Sequence, residues 1–402
     1  MLTGLAMIFL TGMLLGAAFT RFRLPGLLGM LIAGILLGPY ALGLIDDSLL
    51  GISSDLRQFA LVIILTRAGL SLDIDALKKV GRPAVLMCFV PACFEITAMV
   101  LFAPKILGIS LLEAAIMGSV VAAVSPAVIV PRMIRLMETG YGTDKSIPQL
   151  IMAGASVDDV FVIVLFTSFT SLANGGTLSA ARFVGIPVSI ALGIAGGLFT
   201  GWLLTALFRH VHMRDSVKVI ILLSVAFLMV ALEKQLGNSI PFSGLLAVMA
   251  MGVATLRFHP VLAGRLSAKY AKLWVAAELL LFALVGATVN IGFALAAGLE
   301  TVLLLMLALV FRMAGVVFCL LGTDLVSRER LFCMVAYVPK ATVQAAIGGI
   351  PLAMGLRCGD IVLTVAVLSI LITAPLGALG VDLTHAKWLS PCVCAADAAG
   401  ID

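Results

Sequence analysis

Asp158 and Asp159 stand side by side in a run that is otherwise uncharged from Ile147 to Leu172. The run is long enough to cross a bilayer as a helix. A carboxylate at the bilayer centre costs about 3 kcal/mol on insertion scales, and two neighbours also repel each other. On a helix they point about 100° apart, so one fixed cation does not neutralise both. Such a pair serves a mobile cation or a proton. A structural ion pair facing other helices is the competing reading.

Three further charges lie deep in apolar stretches: Glu95, Arg312 and Lys340. Arg67 and Glu278 lie nearer the ends of theirs. A charge at membrane depth faces protein or water and finds a partner. The deep groups are three acids and two bases. Pairing Glu95 with Arg312 leaves Lys340 to hold one aspartate, with the other free. Two stretches are interrupted as well. Ala122-Ala123-Val124-Ser125-Pro126 runs on to Pro131, and Tyr337-Val338-Pro339-Lys340 leads into Thr342, Gln344 and the pair Gly348-Gly349. Proline removes a helix hydrogen bond and clashes one turn back. Paired breaks of this kind let half-helix ends face an ion at the midplane, as in inverted-repeat transporters.

The elements that position these groups are membrane helices. Hydrophobic residues make up 62% of the 402 residues, charged residues 12%, and the mean hydropathy is +1.20. A soluble protein does not keep that much apolar surface from water, so the fold class is an all-α polytopic membrane protein. About thirteen spans are expected, near 3–20, 25–43, 56–72, 83–104, 110–137, 146–172, 182–208, 216–233, 240–257, 271–290, 299–322, 328–354 and 359–380. The first lacks a preceding basic residue and so does not read as a signal peptide.

Of the 26 Lys and Arg, Arg57, Lys105, Arg182, Lys234 and Arg357 fall on one side. Arg67, Arg312 and Lys340 lie within spans, and the others gather on the opposite, cytoplasmic side. The N-terminus is then outside and the C-terminus inside, as an odd span number requires. The net charge of +5 reflects this loop bias, not nucleic acid.

Glycines at four-residue spacing mark seams where helices pack closely: Gly12/Gly16, Gly34/Gly38 and Gly193/Gly197/Gly201. Packing inside one protomer is the usual reason. The seven cysteines, including Cys392 and Cys394 in the tail, have no metal-ligand spacing with histidine, and the odd count argues against a disulfide framework. His210, His212 and His259 lie on the inferred cytoplasmic side and read as solvated loop residues. The tail after Asp382 is too short to fold alone.

The acidic pair, the Ser125-Pro126 break and Pro339-Lys340-Ala341-Thr342-Val343-Gln344 resemble the monovalent cation/proton antiporter superfamily. So do Ala33-Gly34-Ile35-Leu36-Leu37-Gly38-Pro39 and Arg67-Ala68-Gly69-Leu70-Ser71-Leu72-Asp73. Within it, the strings are similar to the sodium/hydrogen exchanger 9B, or NHA-type, branch, from about residue 26 to residue 380. The resemblance implies an inverted-repeat antiporter fold with two broken helices crossing in a core domain. It implies a homodimer in the lipid bilayer, with a core built from 81–175 and 296–382. Residues 1–80 and 176–295 would supply mainly dimerisation helices, and 383–402 a short cytoplasmic tail. It further implies elevator-type transport, Asp159 as the cation or proton site, Asp158 as an assistant paired with Lys340, and Glu95–Arg312 as a core salt bridge. Some relatives carry the membrane Lys one span earlier, where this chain has Arg312, which leaves the role of Lys340 and the stoichiometry open.

Carboxylate oxygens suit Na⁺ or Li⁺, and Ser125, Ser156, Thr342 and carbonyls near Val124 are candidates to complete the shell. A proton and a cation compete for the same carboxylate, so the expected activity is cation/proton antiport serving pH homeostasis, with no cofactor and no enzymatic chemistry. The expected location is the inner membrane of a bacterium. A potassium/proton antiporter and a sodium-coupled solute symporter remain alternatives. An intramembrane aspartyl protease needs its two aspartates on different helices, and a channel needs a repeated filter; neither pattern is present.

Overall fold

The computed structural model describes residues 1–72, 81–173, 180–211, 213–236, 241–290, 292 and 298–391, without the side chains of 156, 180–186 and 234. Cys392, Cys394, His212, Lys78 and Lys79 therefore lie outside the described residues, as do the side chains of Ser156, Arg182 and Lys234. Among the described residues all regular secondary structure is helical, apart from one isolated bridge between Tyr141 and Pro391.

By length and composition, nine helices among the described residues suffice to cross a membrane. Shorter apolar helices occupy Gly26–Leu37, Gly244–Phe258 and Thr342–Ala353, and Ser53–Leu70 is a further helix. Each expected span falls on one of these stretches. The chain forms two compact units.

The first unit comprises Met1–Gly51, Asp73–Phe166 and Phe282–Asp402. It opens with α1 (Leu2–Arg21) and α2 (Gly26–Leu37). The Gly29 backbone meets Leu15 and Gly16, and Gly34 lies directly on the Ala283 carbonyl, approaches that no Cβ permits. The seam at Gly34/Gly38 thus packs within the protomer, as spacing predicts.

The rest of the first unit holds three interrupted helices. α3 (Arg82–Met87) gives way to α4 (Val90–Leu107) at Cys88–Phe89, just before Pro91. The sequence reading treats this stretch as one continuous span; Pro91, lacking an N–H, cannot bond back to the Met87 carbonyl. α5 (Leu111–Val121) starts on a capping box, with Ser110 and Glu113 bonding each other's backbone N–H, and ends four residues before α6 (Pro126–Glu138). The break falls at Pro126, which occupies the first helical position where its missing N–H costs nothing. Pro131 is carried inside α6 and does not end it. α7 (Ile147–Ala173) carries both aspartates.

α8 (Gly298–Cys319) holds Arg312, and α9 (Ser327–Ala336) stops before the non-helical residues 337–341. α10 (Thr342–Ile347) and α11 (Ile350–Ala353) follow, parted by Gly348-Gly349, and α12 (Gly359–Trp388) closes the unit. Met87, Val124, Ile129, Met133, Ile151, Phe332 and Tyr337 form a buried core around the breaks. Arg132 on α6 forks onto Asp382 of α12 at 3.2 Å through each of two nitrogens.

The second unit comprises Ile52–Leu72 and Thr167–Leu281. Gly193, Gly197 and Gly201 meet Ser243, Ala247 and Met251 of Gly244–Phe258 and its N-cap, again within one protomer. Arg67 and Glu278 belong here; Glu278 hydrogen-bonds Trp274 and is attracted by Arg67.

The packing of Gly377 on α12 against the Pro339 ring yields a test. A Cβ there meets Pro339 Cγ and Cδ, whereas one at Gly264 meets nothing within 4 Å. Gly377→Ala is expected to destabilise the detergent-solubilised protein by about 1–3 kcal/mol. Gly264→Ala is expected to be neutral or to stabilise it by up to about 1 kcal/mol. Thermal unfolding checks both, and equal midpoints for the two variants would contradict the close approach.

Candidate functional site

The two breaks cross inside the first unit, and their backbone groups bond to each other. Ser125 N–H donates to the Pro339 carbonyl at 2.8 Å. Gln344 Nε2 donates to the carbonyls of Val121 at 3.1 Å and Ala123 at 2.9 Å. Arg312 donates from Nη1 to the Ala122 carbonyl and from Nε to the Tyr337 carbonyl at 2.9 Å. Lys340 N–H donates to Thr373 Oγ1 at 3.0 Å. The last carbonyls of a helix have no partner inside it, and these are supplied by side chains from the opposite half of the chain.

The deep charges form one chain of contacts. Lys340 Nζ lies 2.8 Å from Glu95 Oε2, and Arg312 Nη1 lies 2.9 Å from the same oxygen. Arg312 Nη2 lies 2.9 Å from Asp158 Oδ2, which also accepts the Val124 N–H at 2.8 Å. Glu95, Asp158 and Arg312 are fully buried and Lys340 is 1% exposed. Asp159 is partly buried, and its Oδ1 has no hydrogen-bond partner. Each of Glu95 and Asp158 keeps its second oxygen buried and unpartnered, as do Ser125 Oγ and Thr342 Oγ1.

Glu95 and Arg312 are in contact, the pairing that the resemblance implies. The Lys340–aspartate contact does not form: Lys340 rests on Glu95, and Asp158 takes the second arm of Arg312. The reason is geometric. A guanidinium fork bridges two carboxylates and still reaches the break carbonyls, whereas an ammonium is a point charge. Val124 contributes its N–H to Asp158, and of the carbonyls near it those of Val121, Ala122 and Ala123 are engaged by Gln344 and Arg312. Ser125 and Thr342 lie at the crossing; the Ser156 side chain is outside the described residues. Gln344 and the Tyr337 carbonyl are contacts that residue type did not single out. Their signal was the polar Gln in an otherwise apolar Thr-Val-Gln-Ala-Ala-Ile run beside a proline break.

With all five groups ionised the chain of contacts is Lys⁺, Glu⁻, Arg⁺, Asp⁻ and then Asp159⁻. The first four balance. The surplus negative charge is left on Asp159, and a buried charge without a counter-charge is strongly unfavourable. The arrangement is neutral with one monovalent cation or one proton bound.

A family model described as "Sodium/hydrogen exchanger, transmembrane" matches residues 6–384. The mouse sodium/hydrogen exchanger 9B2 is 36% identical over 382 residues, covering 90% of this chain and 68% of that protein. The human sodium/hydrogen exchanger 9B1 is 32% identical over 424 residues, covering 97% and 78%. Among solved structures, the sodium proton antiporter MjNhaP1 from Methanocaldococcus jannaschii matches with a TM-score of 0.81 at 18% identity, covering 96% of this chain and 97% of that one. That likeness is one of fold.

Arg312 and Lys340 differ in what depends on them. Arg312→Ala strands Asp158 and two break carbonyls, a loss expected to cost about 3–5 kcal/mol. Lys340→Met leaves Glu95 held by Arg312 and is expected to cost clearly less. Thermal unfolding of the two purified variants checks the order, and a larger loss for Lys340→Met would contradict the contact scheme.

Proposed function

Because the chain belongs to the sodium/hydrogen exchanger family, we propose that it exchanges Na⁺ or Li⁺ for protons across a membrane, with Asp159 as the exchanging carboxylate. The observation that carries this reading is a buried set of two acids and two bases in mutual contact, with a third acid, Asp159, beside it whose Oδ1 has no hydrogen-bond partner among the described residues. Asp158 is held by Arg312 and Val124 and positions the site; Asp159 is the group with capacity for a ligand. Ser125 Oγ and Thr342 Oγ1 are neutral acceptors in reach of the same breaks.

The cycle follows from charge. A cation bound at Asp159 displaces its proton, and a proton displaces the cation. The neutral, loaded forms cross the apolar interior, whereas the empty anionic form crosses poorly, so flux in one direction is tied to counterflux in the other. In this reading the segments 81–175 and 296–382, which supply every group of the contact chain, act as a core that moves as an elevator against a dimerisation domain of 1–80 and 176–295 in a homodimer. The five charges all fall within these two segments, which is what a single moving core that carries its whole site requires. The N-terminus lies outside and the C-terminus in the cytoplasm, on the loop charges, and the location is a cell membrane, bacterial on the sequence reading.

Liposomes enclosing a pH dye, with an acidic lumen, test the proposal. Sodium or lithium salts added outside are expected to alkalinise the lumen, and Asp159→Asn to abolish the response while leaving folding intact. A larger response to potassium would reassign the cation, and no response to any of the three would overturn exchange. Since each bound proton removes the cation's ligand, the apparent KM for Na⁺ is expected to rise as pH is lowered on the cation side. A KM independent of pH would mean that proton and cation do not share the carboxylate.

A further inference from the structure

On the side that the loop charges make cytoplasmic, the second unit holds an open cavity of about 680 Å³. Arg209, Arg214, Lys218 and Arg265 line it, and Asp215 is the one acid among the lining residues. Four helices meet there. Ala180–His210 and Gly244–Phe258 end at the cavity, and Asp215–Leu236 and Pro260–Ala287 begin at it. Two positive and two negative helix ends offset each other, so the side chains set the sign. Arg209 Nη2 donates to the Phe258 carbonyl, one of the groups a helix end leaves without a partner. Asp215 is shared: Arg265 Nε lies 3.2 Å from its Oδ2 and Lys218 Nζ 4.0 Å from its Oδ1. One carboxylate against four cations leaves a surplus of positive charge.

The positive-inside bias puts Lys and Arg in loops, where water solvates them. It does not account for Lys218. A lysine ordinarily carries its head out to water, but this side chain is only 9% exposed, and its ammonium lies 5.7 Å from the centre of the Phe208 ring. Arg265 reaches Asp215 through Nε, which keeps its two Nη groups for a second acceptor. His259 accepts the Leu262 N–H on Nδ1 at 3.4 Å, so the neutral ring carries its proton on Nε2 and is a further donor. Guanidinium forks beside an ammonium match the oxygens of a phosphate. Like charges gathered round one cavity repel, and a bound dianion removes most of the surplus.

We propose that this cavity is a binding site for a phosphate-bearing anion, with Arg214, Lys218 and Arg265 as its charged partners. By bridging cations on two different helices and the loop before one of them, the anion ties these helix ends together, and its occupancy stabilises the second unit. A phospholipid headgroup and a soluble phosphate share this chemistry, and basic pockets between membrane helices suit the headgroup. The site draws on the second unit alone, so it stands or falls independently of exchange at Asp159.

Thermal unfolding of the purified protein in detergent tests the site with two probes. One is inorganic phosphate, against chloride at matched ionic strength. The other is phosphatidic acid, against phosphatidylcholine with the same acyl chains. Wild-type protein is expected to be stabilised by at least one. Lys218→Gln and Arg214→Gln are each expected to raise the half-saturating concentration by about fivefold, the scale of one cation at an anionic headgroup. Arg135→Gln removes the same charge from an exposed position of the first unit and is expected to leave it unchanged. Stabilisation by phosphatidic acid alone supports the site and identifies a headgroup; stabilisation by phosphate alone supports it and identifies a soluble anion. No stabilisation by either probe overturns the proposal. So does wild-type affinity in both cavity variants, or an equal loss in Arg135→Gln, which would reduce the effect to net charge. If Lys218→Gln does not fold, Arg214→Gln decides, since that side chain is exposed.

Discussion

Arg312 is the side chain on which the crossing depends. It is fully buried, yet it meets two carboxylates and two backbone carbonyls, one from each broken helix. No other residue type offers donors in a planar fork wide enough for that, and the group keeps its charge under all ordinary conditions. A permanent positive charge inside an apolar unit has to be matched, and Glu95 and Asp158 match it. Once Glu95 is shared, Lys340 can be buried too. Once Asp158 is engaged, the whole remaining charge of the acidic pair rests on Asp159.

The same side chain resolves the second difficulty of such a fold. A broken helix in an apolar interior exposes carbonyl and amide groups that water cannot reach. Here each half of the chain supplies what the other lacks. Arg312 and Gln344 of the later half bond the carbonyls of 121–123 in the first break, and Ser125 of the earlier half donates its N–H to Pro339 in the second. The breaks are therefore ordered structure, and the peptide groups left over are few. This explains why a polar crossing is compatible with a tightly packed surround of Met87, Ile129, Phe332 and Tyr337.

The glycines act where backbones must touch. Gly377 admits the Pro339 ring of the second break, and Gly154 on the aspartate helix lies against the Tyr337 hydroxyl. Both put small residues on long helices beside the crossing, so that the breaks are clamped between helices that run uninterrupted. A proton or alkali ion exchanging at Asp159 would change the charge of a site whose other members are each held by at least one ion pair, which concentrates the response on one carboxylate.

Much of this was legible in the sequence, and the division has a physical basis. Helical membrane spans follow from the length and apolarity of each run, because lipid leaves the backbone no other way to satisfy itself. The breaks follow from proline, and the need for a cation or proton follows from three acids against two bases at depth. Those are properties of residue type and local spacing. The partners were not legible. Residues 95, 158, 312 and 340 are far apart in the chain, and charge counting admits either Lys340 or Arg312 beside an aspartate. The interruption at Cys88–Phe89, the survival of α6 through Pro131, and the capture of the Val121 and Ala123 carbonyls by Gln344 were equally open. Local chemistry sets how many charges and bonds must be satisfied; which group satisfies which depends on reach and direction in three dimensions. Only the folded chain, by bringing a forked guanidinium between two carboxylates and leaving an ammonium within reach of one, decided that Arg312 and not Lys340 holds Asp158.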